Sequence, residues 1–232
     1  MKTVFIRTLT GIAYLSVLAL AFFLPETIRI YVLPTIFTVF LCLALIEYFN
    51  LAQNFPAQKN NNQRILRRWF LPVFWIIIPV LLLEYWCIML NATNIMVALF
   101  IILCMNDTMA YVFGSLFGKH KIWTRVSPKK SWEGFFGGLV TTMAASWFFI
   151  QISYFQNDIF FNSYIWMGFT LVVIIAGTFG DFVESMIKRF ANQKDSGTIL
   201  PGHGGILDRI DSMLFAVPAG FIYWIIIQLF RN

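Results

Sequence analysis

The residues of this chain best suited to chemistry lie between Gly177 and Ser212. Asp181, Glu184, Ser185 and Lys188 recur at i, i+3, i+4 and i+7, which on a helix forms one polar face. After a polar, glycine-containing loop, Asp208, Asp211 and Ser212 repeat the i, i+3, i+4 spacing. Two pairs of carboxylates on two helices suit a hard cation such as Mg²⁺, which takes oxygen ligands and commonly bridges one or two carboxylates to substrate phosphates. Lys188, Arg189, Lys194 and Arg209 lie among these acids and can neutralise several phosphates. Gly202, Gly204 and Gly205 permit close backbone approach around His203. Taken singly these residues read as ordinary ion pairs, such as Glu184 with Lys188 or Asp208 with Arg209. Together they point to metal-assisted phosphate chemistry.

Two upstream segments add to that reading. Asp107 sits between Asn106 and Thr108 inside an apolar run, where an acid costs about 2.5–3.5 kcal/mol if it faces lipid. On a helix it shares a face with Tyr111, Gly114 and Gly118. Close helix packing explains the Gly114/Gly118 pair, but not the carboxylate. The second segment is Ser127-Pro128-Lys129-Lys130-Ser131-Trp132-Glu133-Gly134. Its adjacent lysines are compact charges suited to phosphate oxygens, Pro128 reads as a turn residue, and Ser131 reads as a helix N-cap without the acid of a capping box. A helix N-terminus there can receive an anion. Glu47 and Glu84 stand alone and read as structural or interfacial carboxylates.

The elements that must position these residues are membrane spans. Of 232 residues, 59% are hydrophobic and only 12% charged, about half the charge of a soluble domain, and the mean hydropathy is +0.74. That excludes an ordinary soluble domain, a disordered chain and a small disulfide scaffold. Cys42, Cys87 and Cys104 are odd in number, widely spaced and embedded in apolar runs, so they read as reduced packing residues. Seven apolar runs approach the ~20 residues a span needs: 3–24, 28–50, 69–90, 94–117, 134–154, 163–184 and 212–230. Pro72, Pro79 and Glu84 make 69–90 the weakest of them. The first run reads as an uncleaved anchor rather than a signal peptide. With the N-terminus inside, 15 of the 17 Lys and Arg fall in inner segments, leaving only Arg29 and Arg231 outside. The expected fold is an all-α, polytopic helical bundle of about seven spans forming one membrane domain, with a cytoplasmic N-terminus and the basic loops facing the cytoplasm. The net charge of +6 reflects that orientation and contact with anionic heads or phosphates, not nucleic acid.

Over residues 105–215 the sequence resembles the phosphatidate cytidylyltransferase (CDP-diacylglycerol synthase) family. The resemblance is carried by Ser185-Met-Ile-Lys-Arg, then Lys194-Asp195-Ser-Gly, then Pro201-Gly-His-Gly-Gly-Ile-Leu-Asp-Arg-Ile-Asp211. Asn106-Asp107-Thr108 with Ala110-Tyr111, and the Ser127–Gly134 stretch with Ser131 where Thr is usual, are similar to secondary motifs. The resemblance implies transfer of a cytidylyl group from CTP to phosphatidate, giving CDP-diacylglycerol and pyrophosphate. Compact size and the absence of a transit segment favour a bacterial inner membrane, and the expected site residues fall at the inner face, where cytosolic CTP is available. Asp181 and Asp208 are expected as Mg²⁺ ligands, with Asp211 and Asp107 as further ligands or orienters of ligands. Lys129, Lys130, Lys188, Arg189 and Lys194 are expected to hold the triphosphate or the lipid phosphate, with Ser127 and Arg209 beside them. His203 either donates to a phosphate oxygen or makes a structural hydrogen bond. A monovalent cation beside Mg²⁺ and a homodimer are compatible with the resemblance. A transporter would also keep acids within spans, but it leaves the phosphate-suited loops unexplained. The CDP-alcohol phosphatidyltransferases want an Asp-Gly pair followed by Ala-Arg, whereas Gly180-Asp181 has the reverse order.

Overall fold

The computed structural model describes residues 16, 20, 21, 23–56, 66–88, 93–150, 162–199 and 204–231. Helix α1 spans Glu26–Gln53, and α2, Ile78–Ile88, is preceded by π-helical turns at Leu66–Phe70 and Val73–Ile77. Helix α3 runs Thr93–Phe117 and a hairpin of β1 (Lys121–Trp123) and β2 (Ser127–Ser131) follows. Then come α4 (Trp132–Phe149), α5 (Ser163–Phe190) and α6 (Leu207–Arg231). Among the described residues, five segments are long and apolar enough to cross a membrane: Thr27–Gln53, Leu66–Ile88, Asn94–Phe117, Ser163–Phe190 and Leu207–Phe230. They match five of the expected runs, and the protein is an all-α polytopic membrane protein. The expected run 3–24 lies largely outside the described residues. The run 134–154 corresponds to the 18-residue α4.

In lipid no hydrophobic force pulls one helix onto another, so association rests on close packing and interhelical hydrogen bonds. Both are present. At Gly134 an added Cβ would lie 2.6 Å from the Ala110 carbonyl and 3.0 Å from the Gly114 Cα, so α3 and α4 touch backbone to backbone. Ser146 and Thr170 share a hydrogen bond of 2.6 Å between α4 and α5, and the Trp166 indole donates to the Ser146 carbonyl at 2.9 Å. Thr38 of α1 donates to Glu84 of α2 at 2.8 Å, which accounts for that isolated acid. Pro72 lies between the two π-helical turns; a ring without an N–H cannot continue a regular ladder, and a widened turn accommodates it. The outward face is strongly apolar, with Phe136, Val140 and Phe148 of α4 all exposed.

Three connections gather at one end of the bundle. Tyr48 near the end of α1 donates to the Arg67 carbonyl, and the Arg67 guanidinium stacks 4.5 Å above the Phe190 ring at the end of α5. Glu47 meets the backbone at Ile206 and Leu207, where α6 begins. The hairpin joins the C-terminal end of α3 to the start of α4, where Ser131 accepts from the Gly134 N–H at 3.2 Å as the expected N-cap. One expectation is corrected here. Pro128 is not a turn residue: it lies within β2, paired antiparallel to β1, and the turn falls earlier, closed by the Val126 N–H to the Trp123 carbonyl at 3.2 Å. A two-stranded ribbon has open edges, which proline's missing N–H tolerates.

Candidate active site

Beneath this end lies a cleft of about 700 Å³. Helix α3 supplies Asn106, Asp107, Tyr111 and Gly114, with Gly118 just beyond it, so the face expected from spacing lines the cleft as a unit. The hairpin contributes Lys121, Lys129, Lys130 and Ser131, α5 contributes Asp181, and α6 contributes Asp208, Asp211 and Ser212.

Each charged group is held by identifiable partners. Lys130 pairs with Asp181 and its ammonium lies 4.2 Å above the Phe182 ring, tying the hairpin to α5. The Ser185 hydroxyl donates to Asp181 at 3.4 Å, one turn along the helix. Lys188 bridges Glu184, which is 1% exposed, and Asp208, at 2.7 Å from the latter. Helix α5 continues beyond the apolar run expected at 163–184, as the polar face through Lys188 requires, and ends at Phe190, with Asn192 in the left-handed region (φ 55°) and the Gln193 N–H on the Lys188 carbonyl at 2.9 Å. That extra turn carries Lys188 to α6. Asp208 also accepts from the backbone N–H groups of Ser196 (3.0 Å) and Gly205 (2.8 Å). Gly204 is required here, because its φ is +84° and a Cβ would stand 2.6 Å from the Asp208 Oδ2. Beside the cleft, Glu133 accepts from the His120 backbone N–H at 3.1 Å and lies 2.6 Å from its ring Nδ1. Hydrogen bonds from its own backbone N–H and then from His120 hold the Glu133 carboxyl down at about 2.

With this geometry, comparison with known proteins is decisive. The model of the cytidylyltransferase family matches residues 2–229. The chain belongs to the cytidylyltransferase family. Curated relatives named phosphatidate cytidylyltransferase include one from Staphylococcus aureus (strain COL), 48% identical over 121 residues, 51% of this chain and 44% of the relative. Another, from Staphylococcus haemolyticus (strain JCSC1435), is 47% identical over 121 residues, again 51% and 44% of the two chains. A third, from Staphylococcus epidermidis (strain ATCC 12228 / FDA PCI 1200), is 46% identical over 119 residues with the same coverage. The match thus spans less than half the length of these relatives.

Within this cytidylyltransferase-family chain, Asp107, Lys129, Lys130, Asp181, Asp208 and Asp211 come together as cleft lining, and Lys188 joins them through Asp208. Ser127, Arg189, Lys194 and Arg209 do not line the cleft. Arg189 turns back to donate to the Gln193 carbonyl at 3.0 Å, Lys194 is exposed on the following loop, and Ser127 opens β2 opposite Trp123. His203 lies outside the described residues. Two features escaped the sequence reading: Asn106 was read only as a neighbour of Asp107, and Glu47 was read as isolated. Glu184, counted among the paired carboxylates and as a partner of Lys188, was not singled out as a ligand.

The donor set suits a hard divalent cation. Carboxylate oxygens of Asp181, Glu184 and Asp211 lie within 4.8 Å of one another. Five carboxylates (Asp107, Asp181, Glu184, Asp208 and Asp211) crowd this region, with Lys130 and Lys188 the ammoniums in ion-pair contact with them. Like charges this close repel, and a cation with oxygen ligands relieves that repulsion. Asp208 stands one turn from Asp211, with its own oxygens engaged by Lys188 and two amides.

Proposed function

We propose that the protein transfers the cytidylyl group of CTP to phosphatidate, giving CDP-diacylglycerol and pyrophosphate, at the cytoplasmic face of a bacterial inner membrane. The observation that carries this reading is the cleft in which the Lys129–Lys130 pair of the hairpin and the carboxylates of α5 and α6 line one cavity. In this reaction an oxygen of the phosphatidate phosphate attacks the α-phosphorus of CTP. One phosphorus–oxygen bond forms to the lipid and the α–β bridge breaks, with its electron pair leaving on pyrophosphate. The nucleophile is already an anion, so no Ser, Cys or His need be activated. The obstacle is repulsion between two anions, and catalysis consists of positioning and charge stabilisation.

Lys129 and Lys130 would bind the phosphates from the hairpin, and Lys188 would hold Asp208 in place. Asp181 and Asp208, with Asp211 and Glu184 adjoining, would hold Mg²⁺, which supplies Lewis-acid stabilisation of phosphoryl oxygens. Asp107 would orient groups from the opposite wall. The basic residues of the three connections at this end, on the positive-inside rule, support a cytoplasmic site with access to CTP. Purified protein in mixed micelles of detergent and phosphatidate, given labelled CTP and Mg²⁺, should form labelled CDP-diacylglycerol. Asp181→Asn and Asp208→Asn should each lower the rate at least 100-fold while eluting from a sizing column like the wild type. Product no greater than in a heat-killed control defeats the assignment.

A further inference from the structure

Glu47 is 2% exposed on α1, outside both the family-motif region and the cleft lining. A carboxylate buried within the protein needs several donors, and this one finds them on a distant stretch of chain. Its Oε1 accepts from the Ile206 N–H at 3.0 Å. Its Oε2 accepts from the Leu207 N–H at 2.9 Å and the Ser196 hydroxyl at 3.2 Å. The first N–H groups of a helix have no partner within it, so the carboxylate satisfies donors at the start of α6 and favours its dipole. The approach is close: at Gly197 an added Cβ would lie 2.6 Å from Oε1, and at Gly205 it would run into Oε2.

The same backbone holds Asp208. Ser196 gives its hydroxyl to Glu47 and its N–H to Asp208, and Gly205, against which Glu47 packs, gives its N–H to Asp208 as well. We infer that Glu47 is a positioning residue for the reaction: it clamps Ser196 and the start of α6, and so sets where Asp208 stands. This rests on the proposed cytidylyl transfer. Glu47 does not reach the cleft, so its removal should slow turnover without weakening substrate binding.

The test uses the full chain and the variants Glu47→Gln and Ser196→Ala. Glutamine keeps the size but offers one carbonyl to three donors, and its amide hydrogens face groups that also donate. Expected for Glu47→Gln are a kcat at least 10-fold lower, KM values for CTP and phosphatidate within 3-fold of wild type, and at least 5-fold faster Lys-C cleavage after Lys194. The helical unfolding midpoint should stay within a few degrees. Ser196→Ala should lower kcat about 3-fold alone and add nothing in the Glu47→Gln background, because both act through one hydrogen bond. A Glu47→Gln kcat within 2-fold of wild type, a rise in KM in place of the fall in kcat, or additive effects of the two substitutions overturns the inference. If Glu47→Gln does not yield monodisperse protein, Ser196→Ala decides: a lower kcat at constant KM supports the clamp, and an unchanged kcat defeats it. An inactive wild type defeats the proposed reaction instead, and the cleavage rates then still report separately whether Glu47 holds the loop.

Discussion

Replacing Lys188 by Met should destabilise the protein more than any change at its surface. The Lys188 side chain is 13% exposed, and its ammonium bridges Glu184, 1% exposed, to Asp208 at 2.7 Å. Asp208 keeps its amide donors at Ser196 and Gly205 after the change, but Glu184 loses the cation that contacts it. Stranding one member of a buried ion pair costs roughly 3–5 kcal/mol. Because both groups are nearly sealed from water, screening provides little discount, and we expect about 3 kcal/mol. The assay is reversible SDS unfolding of purified protein in mixed micelles, followed by the fluorescence of its eight tryptophans. The decisive comparison is the double variant Lys188→Met/Glu184→Gln, in which no charge is stranded at position 184 and Asp208 keeps its two amide donors. It should lose less than half the sum of the two single losses. A Lys188→Met loss under about 0.5 kcal/mol, or strict additivity in the double variant, would refute the claim that Glu184 depends on this partner.

Other outcomes follow from the same geometry. Gly134→Ala should lower stability by about 1–3 kcal/mol, since the new methyl meets the backbone of α3 at 2.6 Å; an unchanged unfolding curve would mean that α3 and α4 can separate freely. Thr38→Val should cost about 1 kcal/mol, more if Glu84 is left without another donor, measured in the same SDS assay. The Glu133 carboxyl, held down at about 2, should keep its His120 clasp to low pH. A depressed native value means that this contribution is complete above the ordinary value near 4.5 and is lost as pH falls from there toward about 2. Carbon-13 NMR of labelled glutamate, with Glu133→Gln identifying the signal, checks this: titration near 4.5 contradicts the clasp.

The legible parts of the site were those governed by helical spacing. Asp107, Tyr111, Gly114 and Gly118 line one wall together, and Asp181, Ser185, Glu184 and Lys188 interact along α5 as their i, i+4 offsets require. Ser131 capped its helix as expected. What failed was local conformation without a period. Pro128 fits a turn or an open strand equally well, and only pairing with Lys121–Trp123 selects the strand. The 189–211 stretch displayed its charges but not their direction: Arg189 turns back on Gln193, while Asp208 turns inward to Lys188.

Composition alone determined that this protein lives in lipid, because so little charge and so much apolar surface leave no other solvent for most of it. Helical periodicity then determined which acids share a face, since 3.6 residues per turn is a property of the backbone itself. Tertiary structure decided what those faces meet. Glu184 became one of three converging carboxylates only when α6 brought Asp211 within 4.8 Å. Glu47 became the clamp at the start of α6 only because α1 packs there, about 150 residues away in sequence from Ser196, Ile206 and Leu207. A buried carboxylate must find donors somewhere, and no local pattern says which segment will supply them.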